Sequence, residues 1–279
     1  MKTWTALILA PLLLLVACEE DPLVLPPAPD PSCHGMYGSP NERTGLEADQ
    51  CAPRIDGRED WAPPTWDGSA LERLLGWSLE NPPAVLGEDP YEVTPDLAPA
   101  PEAVCAVIVT GTKTYRLETF QQADRAASIA AAEAAGGIVT HGGACGACSS
   151  LDDLEVYARV PDQTDPVRHC AFQHLGGPVE DVDACIQQDV GFTPPCARAW
   201  AYNAMHDGDV CQAICLDSML ADEPYNLPDG SLNACLQCDE DQSGAVFKAT
   251  AGRTRRNSGL ASAICRPCDT VWRIDHVYE

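Results

Sequence analysis

Positive charge is scarce in this chain. Only 17 of its 279 residues are Lys or Arg, against 42 Asp or Glu, a formal net charge of -25. A polyanion of that strength repels phosphate backbones, which excludes a general nucleic-acid binder. It also repels anionic bilayers, so any membrane attachment must be non-electrostatic. Long apolar runs are missing too. The stretch Trp4–Val16 is 13 residues, too short for a permanent span. Phe and Met number four each. So modest a supply of large apolar side chains makes a cross-linked core the natural expectation.

What the chain has in excess is cysteine, 15 in all. That is too many for an ordinary cytosolic enzyme and implies an oxidising compartment or a metal protein. Lys2 followed by the apolar run and Ala17 has the layout of a signal peptide over 1–17. The residues Leu15-Val16-Ala17-Cys18 resemble a bacterial lipobox. The resemblance implies cleavage before Cys18 and acylation of its sulfur. The acyl chains would then bind the bilayer at about 0.8 kcal/mol per buried methylene. Glu19 stands where inner-membrane lipoproteins often carry Asp, which favours an outer-membrane, cell-envelope location facing periplasm or exterior. Without Cys18, fourteen cysteines remain, enough for up to seven disulfides of open connectivity.

Residues 18–32 are acidic and proline-rich and read as a lipidated tether. Residues 33–101 read as an irregular arm. Fifteen of the 24 prolines fall between Pro22 and Pro101, with Trp61, Trp66 and Trp77 among them and a short helix expected over 71–79. Cys33 and Cys51 are expected to staple this arm to itself or to the body. The body, 102–279, opens with an apolar, β-branched strand at 104–110, a hairpin partner at 115–120, an alanine-rich helix at 121–135 and a short strand at 138–140. A helix follows at 149–159, started by Ser149-Ser150. Helices are expected at 180–190, 195–206, 209–220 and about 242–251, separated by Gly or Pro. The fold class is therefore α+β: a disulfide-rich single body of mainly short helices with a small β element.

Four constellations carry possible chemistry. In Thr140–Ser150, THGGACGACSS, Cys148 precedes a helix whose amides would favour a thiolate. Cys-Gly-Ala-Cys-Ser resembles the CGxC signature of papain-like cysteine proteases. The resemblance implies Cys148 as nucleophile with His276 or His141 as base. The pattern departs where that family has Gln six residues earlier (here Gly142) and an aromatic after the nucleophile (here Ser149). The same CGAC is similar to thioredoxin-like redox sites, with Cys145 attacking and Cys148 resolving; the plain alternative makes both structural disulfide partners.

Cys235/Cys238 and Cys265/Cys268 have zinc-ligand spacing, but an extracytoplasmic setting favours disulfides. Asp239–Gly244 matches the start of a calcium loop, with Asp239, Asp241 and Ser243 as candidate ligands. Thr250 occupies the position that needs Glu, so a solvated acidic turn is the better reading and no metal or cofactor is expected. Arg253, Arg255 and Arg256, with Lys248 and Arg266, are a basic cluster expected to pair internally with Asp239, Glu240 and Asp241, or else to bind a carboxylate or phosphate. The body resembles cysteine-rich secreted proteins of no assigned activity. The expected function is a membrane-anchored binding or structural module, its partner besides the bilayer open; the alternative is a Cys148 hydrolase.

Overall fold

The computed structural model describes residues 35–52, 64–93 and 100–278; the expected signal peptide, lipobox-like motif and tether, and Cys33, lie outside these residues. In chain order the elements are β1 Met36–Tyr37, β2 Cys51–Ala52, α1 Gly68–Leu74, β3 Ser78–Leu79, α2 Pro90–Val93, β4 Val104–Gly111, β5 Thr114–Phe120, α3 Arg125–Ala134 and β6 Gly137–Gly142. A helical half follows: α4 Leu151–Arg159, α5 Thr164–Gln173, α6 Val179–Asp189, α7 Pro194–Val210, α8 Gln212–Leu220, α9 Ala234–Gln242 and α10 Gly244–Ala251, then β7 Arg266–Pro267. This is a disulfide-rich α+β body of mostly short helices.

The main sheet has the order β3-β5-β4-β6, with β4 antiparallel to β5 and β6, and β3 parallel to β5. Its central strand shows why the sequence lacks polar alternation there. Val104 and Ala106 pack on Ala132 of α3, while Cys105 and Val107 face the main core, so both faces are covered. Residues 78–79 form β3 rather than the end of a helix. Helix α1 stops at Leu74, and Gly76 takes a φ of +74°, a left-handed conformation that turns the chain. The described parts of 33–101 are thus built into the body: Leu74 and Trp77 join the main core, and Tyr91 packs on Tyr202 and Val246.

Helix α4 is capped by Ser150, whose hydroxyl accepts from the Asp153 amide at 3.0 Å, a contact worth about 1 kcal/mol. Its Leu151 and Leu154 are fully buried, each contributing roughly 1.5–3 kcal/mol. The 17-residue α7 starts on Pro194-Pro195, whose missing amides cost nothing in a first turn, and packs against α5, α6 and α10.

Six disulfides join described residues: Cys51–Cys265, Cys105–Cys145, Cys148–Cys196, Cys170–Cys185, Cys211–Cys238 and Cys215–Cys235. Cys268 is also disulfide-bonded. The first of these bonds fastens the N-terminal arm beside the small sheet β2-β1-β7. No cysteine pairs with its own CxxC neighbour. Cys145 and Cys148 bond to different partners, so they do not form the couple a thioredoxin-like site requires. Cys235, Cys238 and Cys265 are likewise occupied by disulfides and are not zinc thiolates. Among the described residues no helix is long and apolar enough to cross a membrane.

Candidate functional site: a clamped apolar cleft

The sequence points to the Thr140–Ser150 loop. Cys148 is fully buried and bonded to Cys196, so its sulfur carries no thiolate and the expected nucleophile is absent from this geometry. His276 is held elsewhere: its Nε2 donates to the Ser258 carbonyl at 2.8 Å, and its Nδ1 lies 3.1 Å from the Tyr278 hydroxyl. His141 has a serine instead. His141 Nδ1 donates to the Gly142 carbonyl at 2.9 Å, which leaves Nε2 to accept from Ser149 Oγ at 2.7 Å. That tautomer is the one a serine base needs. Yet Ser149 and His141 are both completely buried, and the Gly146 amide donates to the same hydroxyl at 2.8 Å. The pair is a buried strut with no surface open to a substrate.

The strut belongs to a larger network around Arg253, which is also fully buried. Its guanidinium donates to the carbonyls of Thr140, Cys148 and Ser149 and to the hydroxyls of Thr140 and Ser258, all within 3.1 Å. Burial, reinforced by this cation, holds His276 down at about 3 and His141 well below the ordinary imidazole range. Both rings are neutral at physiological pH. The loop can approach Arg253 this closely because glycines line the contact. A Cβ on Gly252 would lie 2.5 Å from the Gly146 nitrogen, and one on Gly146 would lie 2.5 Å from the Thr250 carbonyl oxygen.

The calcium-loop candidates do not converge. Asp239 and Asp241 lie in helix α9, and Ser243 is the cap between α9 and α10. Asp241 accepts from Gln237 Nε2 at 2.8 Å on the exposed side, whereas Asp239 faces Asn203 of α7. Helical spacing of two residues separates the carboxylates that a calcium loop would gather.

The larger site is one that sequence reasoning missed. A cleft of about 560 Å³ is lined by α5, α7, α8, α9, α10 and the segment around residues 254–271. That volume lies within the roughly 300–1,000 Å³ usual for small-molecule sites. Aromatic rings of three elements meet at its lining. Trp200 Nε1 donates to the Tyr157 hydroxyl at 3.0 Å, and Phe247 packs edge-on against Trp200 at 4.7 Å between centroids. Val167, Phe172 and Leu175 line it from α5 and the turn after it, and Leu216 and Met219 from α8. The bonds Cys211–Cys238 and Cys215–Cys235 clamp α8 to α9, and Cys170–Cys185 clamps α5 to α6, so the walls are cross-linked.

Two polar clusters are set into this lining. In one, Glu240 accepts from Lys248 Nζ at 2.9 Å, Arg256 Nη2 at 2.7 Å and Arg266 Nη2 at 2.8 Å. Burial alone would raise the Glu240 carboxyl, but Arg266, Arg256 and Lys248 outweigh it and hold the group at about 2. In the other, Asn203 Nδ2 donates to Asp207 Oδ2 at 3.0 Å and to Asp239 Oδ1 at 3.2 Å, and Ser243 donates to Asp207. Burial and the neighbouring Asp239 charge push Asp207 up to about 9, so it is protonated at neutral pH. Gln163 also lines the cleft. Its Oε1 accepts from Arg255 Nε at 3.2 Å, while its buried Nε2 has no acceptor among the described residues.

The expected internal pairing of the basic cluster takes two forms. Arg256, Arg266 and Lys248 share Glu240, as charge pairing requires. Arg253 and Arg255 bind mainly backbone carbonyls. Arg255 donates to those of Tyr157, Val160 and Ala261, closing the C-terminal end of α4. One signal for the cleft was legible in the sequence. Helix α8 carries Ile214, Leu216, Met219 and Leu220, too many apolar residues for one buried stripe, and all four are exposed to solvent.

A family described as "Family of unknown function (DUF8771)" matches residues 179–274, about a third of the chain. The match covers α6 to α10 and the Glu240 cluster, and leaves out α5 and Gln163. No curated protein and no solved structure matches the chain.

Proposed function

We propose that the mature chain is an envelope lipoprotein, anchored through acylated Cys18, whose disulfide-clamped body binds a small ligand in the α5–α10 cleft. The observation that carries this reading is the cleft itself: an apolar cavity with cross-linked walls and a buried amide, Gln163 Nε2, with no acceptor among the described residues. A buried donor left unpaired costs about 1–3 kcal/mol, a cost that a bound acceptor removes. Rigid, largely pre-formed walls suit a binding site, because little ordering entropy is lost on association. The disulfides fit the oxidising side of a membrane. The lipobox supplies the anchor that the described helices do not.

The test has two arms. A neutral, environment-sensitive dye such as N-phenyl-1-naphthylamine should bind saturably to the oxidised protein. Gly208→Trp should abolish that binding with the melting temperature unchanged, since Gly208 lines the cleft and a Cβ there meets no atom within 4 Å. Dye binding that Gly208→Trp leaves intact would refute the cleft as a binding site. In cells, Cys18→Ala should release or mis-sort the protein; complete retention with the membrane would refute the anchor.

A further inference from the structure

We infer that the cleft receives an anionic amphiphile, with a single long apolar chain against the α5 and α8 walls and a carboxylate or phosphate head at Lys248, Arg256 and Arg266. This deepens the reading of the cleft as a ligand site and rests on it.

Charge is the first argument. The chain as a whole carries 42 acidic against 17 basic residues, yet the cleft lining holds five basic side chains (Arg168, Lys248, Arg255, Arg256, Arg266) against four acidic ones (Asp207, Asp209, Asp239, Glu240). The balance reverses further because Asp207 is held protonated by burial and by Asp239. A positive cleft in a polyanion selects negative ligands, and the low dielectric of a buried site strengthens that selection.

Hydrogen-bonding capacity is the second. Lys248, Arg256 and Arg266 converge on one carboxylate, Glu240, and each gives it a single hydrogen bond. Two guanidinium groups and an ammonium carry far more donors than those three bonds use. All four side chains are partly withdrawn from solvent, with exposures between 16% and 31%. A second anion there completes the pairing that Glu240 begins. Guanidinium forks suit the planar oxygens of a carboxylate or phosphate.

Apolar exposure is the third. Phe172, Leu175, Leu216 and Met219 line the cleft yet remain 46%, 64%, 46% and 36% exposed. Apolar surface left in water costs about 25 cal/mol per Å², and a ligand chain laid over these residues recovers it. An anionic head alone would not cover them, and a neutral hydrocarbon would not answer the cations.

The experiment uses the full oxidised chain carrying Cys18→Ser, so that it bears no acyl group of its own. Dissociation constants are measured by calorimetry for four probes with a sixteen-carbon chain: hexadecanoate, hexadecyl phosphate, hexadecanol and hexadecyltrimethylammonium. At least one anionic probe should bind at least tenfold more tightly than hexadecanol, and the cationic probe most weakly. The better of the two anions identifies the head as carboxylate or phosphate. Lys248→Gln and Arg256→Gln should each reduce the preference for the anionic probe over hexadecanol at least threefold. Equal binding of anionic and neutral probes, or a preference untouched by both variants at wild-type melting temperature, would overturn the inference. If none of the four binds while the neutral dye still enters and Gly208→Trp still blocks it, the ligand class is wrong and the binding-site reading stands. A Gly208→Trp variant that blocks neither dye nor probe defeats both.

Discussion

Arg253 donates to Thr140 twice, to its carbonyl oxygen at 3.0 Å and to its hydroxyl at 2.7 Å, across 113 residues of sequence. These bonds lock the segment after α10 against β6, the edge strand of the main sheet. The remaining donors go to the Cys148 and Ser149 carbonyls and to Ser258. A lysine cannot span acceptors arranged around a planar fork. Arg253→Lys should therefore lower unfolding stability by about 3 kcal/mol or more, since several buried acceptors lose their donor. Urea denaturation at constant m-value reads the change. A shift under about 1 kcal/mol would mean that the network is dispensable.

Cys148 and Cys196 tie the start of α4 to the first turn of α7. Oxidised protein should show no alkylation of Cys148 near neutral pH. Cys148→Ala and Cys196→Ala should each destabilise by about 4 kcal/mol, the scale for closing a loop of this length, and the double variant should cost little more than either single one. Peptide mapping after iodoacetamide treatment checks the first expectation, and differential scanning calorimetry the second.

Asp207 gives stability a pH dependence of definite sign. Its ordinary value is 3.8, and burial beside Asp239 raises it to about 9 in the fold. Between those values the unfolded chain has released the proton that the native state keeps. Stability should thus fall as pH rises through the interval and level off above about 9. Asp207→Asn, which retains the volume, should flatten the alkaline limb of a plot of melting temperature against pH. An unchanged limb would remove Asp207 as its source.

The acid limb belongs to the histidines and Glu240. Burial and the Arg253 charge hold His276 at about 3 against an ordinary 6.5, and His141 is lowered in the same sense. As pH falls below 6.5 the unfolded chain takes up protons that the native rings refuse, so stability declines progressively toward pH 3. Glu240, held at about 2 by its three cations against an ordinary 4.5, adds to the loss below the latter value. His276→Asn should weaken the dependence between about pH 6 and 4. Equilibrium unfolding at a series of pH values measures it.

Local chemistry was legible where one segment decides its own state. The β-branched run at 104–110 announces β4, Ser150 ahead of Asp152 and Asp153 announces the cap of α4, and Gly136-Gly137 ends α3. The cysteine count announced a cross-linked body, because a core so poor in Phe and Met needs another source of stability. The signal-peptide layout of 1–17 and the lipobox resemblance at Leu15–Cys18 are read from the sequence alone, because they fall on residues outside the described fold.

Pairing and convergence were decided only in three dimensions. Cys148 precedes a helix just as a reactive cysteine does; what makes it inert is Cys196, 48 residues away, brought into range by α7 packing on α4. Arg253, Arg255 and Arg256 are near neighbours in sequence with three sets of partners: a buried carbonyl cage, the carbonyls at a helix C-terminus and the Glu240 carboxylate. No spacing rule separates them, because each environment is built by strands and helices about a hundred residues earlier or by charges on α9. The cleft has no sequence motif for the same reason. It is a space left between five helices, and its shape follows from how they are clamped rather than from any one of them.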